Sequence, residues 1–423
     1  MGYCNARPEV ERAFSKYHNV MSMFSLAYSN LKEHFLTTAL SVMLLSIGVG
    51  MVSFIVTVSD QLNGRFNRDI RGIDMVVGAK GSPLQLILSA VYQMDNPTGN
   101  ISNKEASRII KHPLVKYSIP LSYGDSYQGF RIVGTDSMYI SHFKAEFEKG
   151  RVWAKSMDVV LGSRAAAKLN MAMGAHFHGT HGLDIEGHAH EESHYTVVGV
   201  LKETGSVIDR LILTSTASVW DIHNHQAEEE SHDHAEHEPE EVEGEITALL
   251  VKFKSPMGIM QVPRFINKKT SMQAALPAIE INRLYELMGV GFSTLQAIGV
   301  LMMLIAALSV FISLLNSLKE RKYELALMRS LGASPTKLFS LVLQESLLLC
   351  FAGYLFGIIL GRVAIMVLSS FGEEQFHFGV TQVGIATIEI WLFPFTLVVG
   401  IVAALIPAFR AYRVDISSVL RNE

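Results

Sequence analysis

The chain has 423 residues, 18% of them charged and 49% hydrophobic, with a mean hydropathy of +0.26. Soluble domains carry about 25% charged residues, so the composition excludes both a disordered chain and an ordinary soluble enzyme. A formal charge of −4 offers no global basic field for nucleic acid, and two cysteines, Cys4 and Cys350, exclude a disulfide framework or a Cys-rich zinc fold.

Residues 1–34 contain MSMFSLAYSNLKEHF, which brings Met23, Phe24, Ala27, Leu31 and Phe35 to near-helical spacing. That pattern predicts an amphipathic helix lying along the inner leaflet. Residues 35–58 carry no charge and are long enough for a first membrane span. The stretch starts late, is long, and has no small-residue cleavage motif after it, so it does not read as a cleavable signal peptide.

Residues 59–291 mix β-rich and helical patterns and predict an α+β domain. YTVVGVL (195–201), RLILTS (210–215) and ITALLVKFK (246–254) read as strands. DVVLGSRAAAKLNM reads as a strand ending at Gly162 and then an Ala-rich helix. GAKGSPLQL (78–86) lacks the G-x-x-x-x-G-K-[ST] phosphate loop and predicts a turn that starts a helix. No Walker A motif occurs, so ATP hydrolysis is not expected of this chain. Residues 255–291 read as a mainly helical return to the membrane.

Three further spans follow, at 292–318, 338–368 and 390–409; the third carries Glu345 and Arg362 near its two ends. Lys and Arg cluster before the first span (Arg7, Arg12, Lys16, Lys32), between the second and third (Lys319, Arg321, Lys322, Arg329, Lys337) and after the fourth (Arg410, Arg413, Arg421). By the positive-inside rule, both termini and the 319–337 loop are expected in the cytoplasm. The 369–389 loop has no Lys or Arg, and it and the 59–291 domain are expected outside. The expected fold class is therefore an α-helical membrane protein with four transmembrane helices and a large extracytoplasmic α+β domain between the first two.

Eleven of the sixteen histidines fall between 176 and 237. One cluster is His176, His178, His181, His188, His190 and His194; the other is His223, His225, His232, His234 and His237, in a Glu-rich tract. Imidazoles suit zinc and other transition metals, and carboxylates add oxygen ligands. The two tracts, 176–194 and 223–245, are expected to be loops holding Zn2+ or a similar ion, or a solvated acidic tract that binds metal only incidentally. His190-Glu191-Glu192-Ser193-His194 matches H-E-x-x-H, the zinc-protease motif, but lacks the helical flanks that place both histidines on one face.

NSLKERKYELALMRSLGASPTKLFSLVLQES (316–346) reads as a short charged helix with Leu325, Leu327, Met328 and Leu331 as its apolar surface. Gly332 ends it, and Ser334-Pro335 opens the next helix. Together with Glu345 and the tail IPAFRAYRVDISSVLRNE (406–423), this stretch resembles the FtsX-like, MacB-type ABC transporter permeases, relatives of the Lol lipoprotein-releasing permeases. The resemblance covers most of the chain and is weakest within 59–291.

The resemblance implies that 319–337 is a coupling helix docking onto a separate ABC ATPase that binds ATP, through or with the support of Glu320, Arg321, Glu324, Arg329, Leu331, Gly332 and Ala333. It implies a bacterial inner-membrane protein that pairs with a second permease copy or paralogue. Function would be mechanotransmission, with ATPase motion relayed to the outer domain. The client could be a lipoprotein, a peptide, a small molecule or a partner such as a periplasmic metal-binding protein. Few ionisable residues in the spans argue against an ion path through them. A scaffold without a pump cycle and a metal-dependent membrane enzyme using His190, Glu191 and His194 are the readings from other classes.

Overall fold

The computed structural model describes residues 23–181, 189–222, 244–376 and 387–413. Its contacts divide the chain into two units, 62–288 and the remainder.

The 62–288 unit is built on a sheet of alternating apolar strands: β1 Met75–Ala79, β2 Ile101–Ser102, β3 Val115–Tyr127, β4 Phe130–Thr135, β5 Phe147–Gly150, β6 Asp158–Leu161, β7 His176–His181, β8 Ala189–Leu201, β9 Ile212–Ser215, β10 Glu245–Ile246, β11 Ala248–Phe253 and β12 Met272–Ala275. Among the described residues the main sheet runs β12-β1-β11-β3-β4-β9-β6-β8-β5, with β7 pairing β3 and β8. Pairing is antiparallel except at β4–β9 and β6–β8. A small β2–β10 ribbon stands apart.

Successive side chains on a strand point to opposite faces, and the core divides accordingly. Val76 and Leu250 meet Leu86 and Ile87 of the helix Pro83–Ala90 on one face. Met75, Val77, Leu249 and Val251 meet Ala106 and Ile109 of Asn103–Ile110, and Val262 and Ile266 of Pro256–Lys269, on the other. The glycine-rich turn starts a helix, as its sequence predicts: the Ser82 hydroxyl accepts from Gln85 N, and Pro83 fills the first turn. Gly78 packs closely: a Cβ there would stand 2.5 Å from Leu86 Cδ1 and 3.2 Å from the Thr247 carbonyl oxygen.

The first histidine tract corrects the expectation of a loop over 176–194. Residues 176–181 and 189–194 belong to β7 and β8, paired antiparallel. Phe177 explains the difference. It is buried between Tyr127 and Tyr195, with ring centroids 4.6 and 5.4 Å away, so His-Phe-His follows the period of a strand. The tract at 223–243 lies outside the described residues.

The second unit holds the apolar segments in four helices long and apolar enough to cross a membrane: Phe35–Asp69, Pro277–Glu320, Pro335–Phe376 and Thr387–Tyr412. The first and second run past 35–58 and 292–318 because no proline interrupts the polar sequence continuing them. Leu301, Leu304 and Leu308 of the second remain exposed, as a lipid-facing side requires. The amphipathic helix is Met23–Glu33. It buries Ala27 and Asn30 and leaves Tyr28 64% exposed.

Small residues let the spans approach closely. Gly353, Gly357 and Gly361 recur every four residues along the third helix, and a Cβ on them would meet Leu45, Val49 and the Gly50 carbonyl of the first. Gly48 lies against Met303 of the second helix in the same way.

Two predictions follow from these contacts. Gly357→Leu drives a side chain into Val49 and the Ser46 carbonyl and is expected to destabilise the helix bundle by about 3 kcal/mol or more. Gly289→Ala, with open space around it, is neutral or stabilising by about 0.5–1 kcal/mol. Thermal unfolding in detergent distinguishes the two. In the sheet unit, burial and the Lys252 charge hold His142 below the ordinary imidazole value of 6.5. The unfolded chain therefore takes up a proton that the folded one resists, so this contribution to stability is complete above about 6.5 and is lost as pH falls below it. His142→Gln should flatten the decline of melting temperature between pH 7 and 5.

Candidate functional site

The short helix after the second span is Lys322–Ser330. Leu325 is buried in a cluster with Ala27, Val310, Leu314, Leu338 and Val342, and Ala326 beside it is also buried. This corrects the placement of Leu325 on the outer apolar surface. The exposed stripe is instead Tyr323 (48%), Leu327 (45%) and Leu331 (81%). Steps of four residues keep these three on one side of a helix, with the exposed Glu324 beside them.

The helix stops where Gly332 adopts φ +97°, a conformation that strongly favours glycine. Gly332 N donates to Arg329 O (3.1 Å) and Ala333 N to Met328 O (3.0 Å), so the last turn is closed before Pro335 begins the third span.

At its other end the helix is tied to the spans by charge. Arg321 Nε donates to Glu324 Oε2 at 3.0 Å, and its Nη1 to Glu345 Oε1 at 3.4 Å. Glu345 is 5% exposed and also accepts from the Asn30 side-chain amide of the N-terminal helix. A carboxylate in a span is costly without partners; here a guanidinium and an amide supply them, from two different elements. Arg321 is only 11% exposed, so it supports the helix from beneath. Glu320 Oε2 lies 3.3 Å from His34 Nδ1. Glu320, Glu324, Leu331 and Gly332 face outward, and Arg329 and Ala333 are half-buried.

A second buried polar junction involves Glu389, which the sequence placed in a loop and the structure places in the helix Thr387–Tyr412. Glu389 is 1% exposed. It accepts from Arg362 Nη2 at 2.6 Å and from Ser53 Oγ at 2.7 Å, and its backbone carbonyl accepts from Tyr354 OH at 3.1 Å. The first, third and fourth spans therefore meet at one carboxylate. Arg362 was the available signal, since an arginine in an apolar run calls for a nearby acid.

The histidines divide. His178 and His194 face each other across β7 and β8, with ring centroids 4.3 Å apart. His176 Nδ1 lies 3.0 Å from Thr196 Oγ1. His181 and His190 are placed on the same two strands. His188, His223, His225, His232, His234 and His237 lie outside the described residues. Among the described residues no group of three or more His, Cys, Asp or Glu could hold a metal ion. H-E-x-x-H runs along a strand, where four residues span about 13 Å, so it lacks the helical zinc-protease geometry.

Comparison with known proteins agrees with this architecture. The FtsX-like permease C-terminal model matches residues 297–416, and the MacB-like periplasmic core domain model matches residues 38–261. No curated protein sequence matches the chain. The crystal structure of the periplasmic region of MacB from Actinobacillus actinomycetemcomitans is 13% identical, with 52% of this chain and 96% of that one covered and a TM-score of 0.32. The extracellular domain of the noncanonic ABC-type transporter YknZ from Gram-positive bacteria is 15% identical, with 47% and 98% covered and a TM-score of 0.28. The two family models together take in both units, the second covering more than half the chain, and the protein belongs to the MacB/FtsX-type family of ABC transporter permeases.

Proposed function

We propose that this permease transmits the motion of a cytoplasmic ATPase to its large α+β domain through the helix Lys322–Ser330, with both chain termini in the cytoplasm of a bacterial inner-membrane protein. The observation that carries the reading is the Arg321–Glu345–Asn30 junction. It fixes the short helix to the third span at one end while Gly332 and Pro335 join it to the same span at the other. A push on Leu327 and Leu331 would then tilt the span rather than bend a loop. The ATPase would grip that stripe and the charges around it, including Glu320, Glu324 and Arg329. A second permease copy or paralogue would complete the complex, and the client would be met by the outer domain, as a lipoprotein-releasing or an exporting permease requires.

Leu327→Asp with Leu331→Glu should reduce co-purification of the partner ATPase at least tenfold while leaving the permease folded in the membrane. Arg321→Ala should keep much of that association yet abolish client-dependent ATPase stimulation, because the lever is loosened rather than removed. Full function in the Leu327/Leu331 variant would leave a scaffold without a pump cycle as the better reading.

A metal-linked role is supported by the adjacent imidazoles of His178 and His194. They would contribute two of the ligands to a Zn2+ or similar ion, completed by histidines of the 223–237 tract. Imidazole ligands must be neutral, so binding should strengthen as pH rises. Calorimetry of the full chain with zinc at pH 7.5 is expected to show a site that His178→Ala with His194→Ala weakens at least tenfold. Equal affinity in that variant would remove the strand pair from metal binding.

A further inference from the structure

The outer surface of the α+β domain is not evenly charged. Two helices cover the Met75–Val77 face of the sheet, Asn103–Ile110 and Pro256–Lys269. Two polar contacts bind them side by side at opposite ends. Ser271 Oγ donates to Glu105 Oε2 at 2.6 Å, and Lys254 Nζ donates to the Pro113 carbonyl at 2.9 Å. The first lies just past the end of one helix and near the start of the other; the second lies just before and just after, so the pair runs antiparallel.

Lys104, Arg108, Lys111, Lys254, Arg264, Lys268 and Lys269, on these helices or just beside them, are all exposed. Glu105, already held by Ser271, and Glu245 on the neighbouring β10 are the carboxylates in the same segments. This surface is cationic on a chain whose formal charge is −4. A groove of about 420 Å³ runs along the first helix, lined by Asn103, Lys104, Ser107, Arg108, Lys111 and Gly244. Among the described residues no carboxylate lines it.

Apolar side chains stand exposed on the same two helices. Met257 is 57% exposed, Met260 70%, Phe265 60% and Ile110 40%. Both helices already bury Ala106, Ile109, Val262 and Ile266 against the sheet, so these four outer residues are surplus to the core. Methionine adapts to varied partners, and Met, Phe and Arg are enriched where proteins dock. A simple polyanion would satisfy the charges and leave the apolar side chains in water. A neutral partner would do the reverse and strand the cations.

We propose that this two-helix face is the docking surface for an extracytoplasmic protein that presents carboxylates around an apolar centre. The proposal rests on the outer placement of the domain and not on the ATPase lever or on metal. Contact would centre on Met257 and Met260, three residues apart on one side of their helix, with Lys104, Arg108, Lys268 and Lys269 steering approach through long-range attraction, which weakens with salt.

The test uses the full chain in its own host membrane, with a photo-reactive benzoyl group introduced at Met260 or, separately, at Met257. Irradiation should yield one dominant adduct with an acidic extracytoplasmic protein, identified by mass spectrometry. Its yield should fall at least tenfold in Lys104→Glu/Arg108→Glu/Lys268→Glu, and about as much on raising salt from 50 to 500 mM in a washed-membrane reaction. Lys144→Glu, elsewhere on the domain, should leave it unchanged, and protease resistance of the domain should be the same in all variants. The proposal is overturned by no adduct, by a lipid adduct, by cross-linking to a second copy or to residues 226–242 of the same chain, or by an adduct indifferent to the charge reversals. Loss of ATPase association in the Leu327/Leu331 variant has no bearing on any of these outcomes.

Discussion

A carboxylate placed within a membrane helix has to be satisfied by the protein, because the hydrocarbon offers nothing in return. Glu345 imposes that demand here, and the fold around it is organised by the answer. Arg321 comes from the start of the short helix and Asn30 from the N-terminal helix. Neither element has an apolar run long enough to fix itself in a bilayer. Each is held by a polar contact to the third span together with a modest apolar patch, Ala27 in one case and Leu325 in the other. The same logic operates at Glu389, which draws Ser53 and Arg362 from two other spans. Two buried acids thus specify which helices meet, whereas the surrounding leucines and valines could pack in many registers.

How much of this could be read in advance depended on the kind of interaction. The spans were legible because a run such as 35–58 has no other use for so many apolar residues. The turn at Gly78–Pro83 and the strands around 158–161 and 248–253 were legible because their cues are local: glycine, proline, and alternation. The end of the short helix at Gly332 was also legible, since φ +97° strongly favours that residue.

What escaped was set by distant partners. Asn30 is an ordinary polar residue on an amphipathic helix until Glu345, 315 positions away, accepts its amide. Leu325 and Leu327 look equivalent in sequence, and the cluster under the helix, not their own chemistry, buries one and exposes the other. The histidine tract at 176–194 misled because its composition is that of a solvated loop. Phe177, lodged between two tyrosines, outweighs its polar neighbours and pulls the segment into the sheet.

The glycines at 353, 357 and 361 have a mechanical consequence. Where two helices touch main chain to main chain, there are few rotamers between them to absorb a displacement. Under the proposed lever, shear applied to the third span would reach the first with little loss, as between two rods glued along their length. Because the first span continues unbroken to Asp69, a torque entering at that seam would then meet no loop before the helix ends.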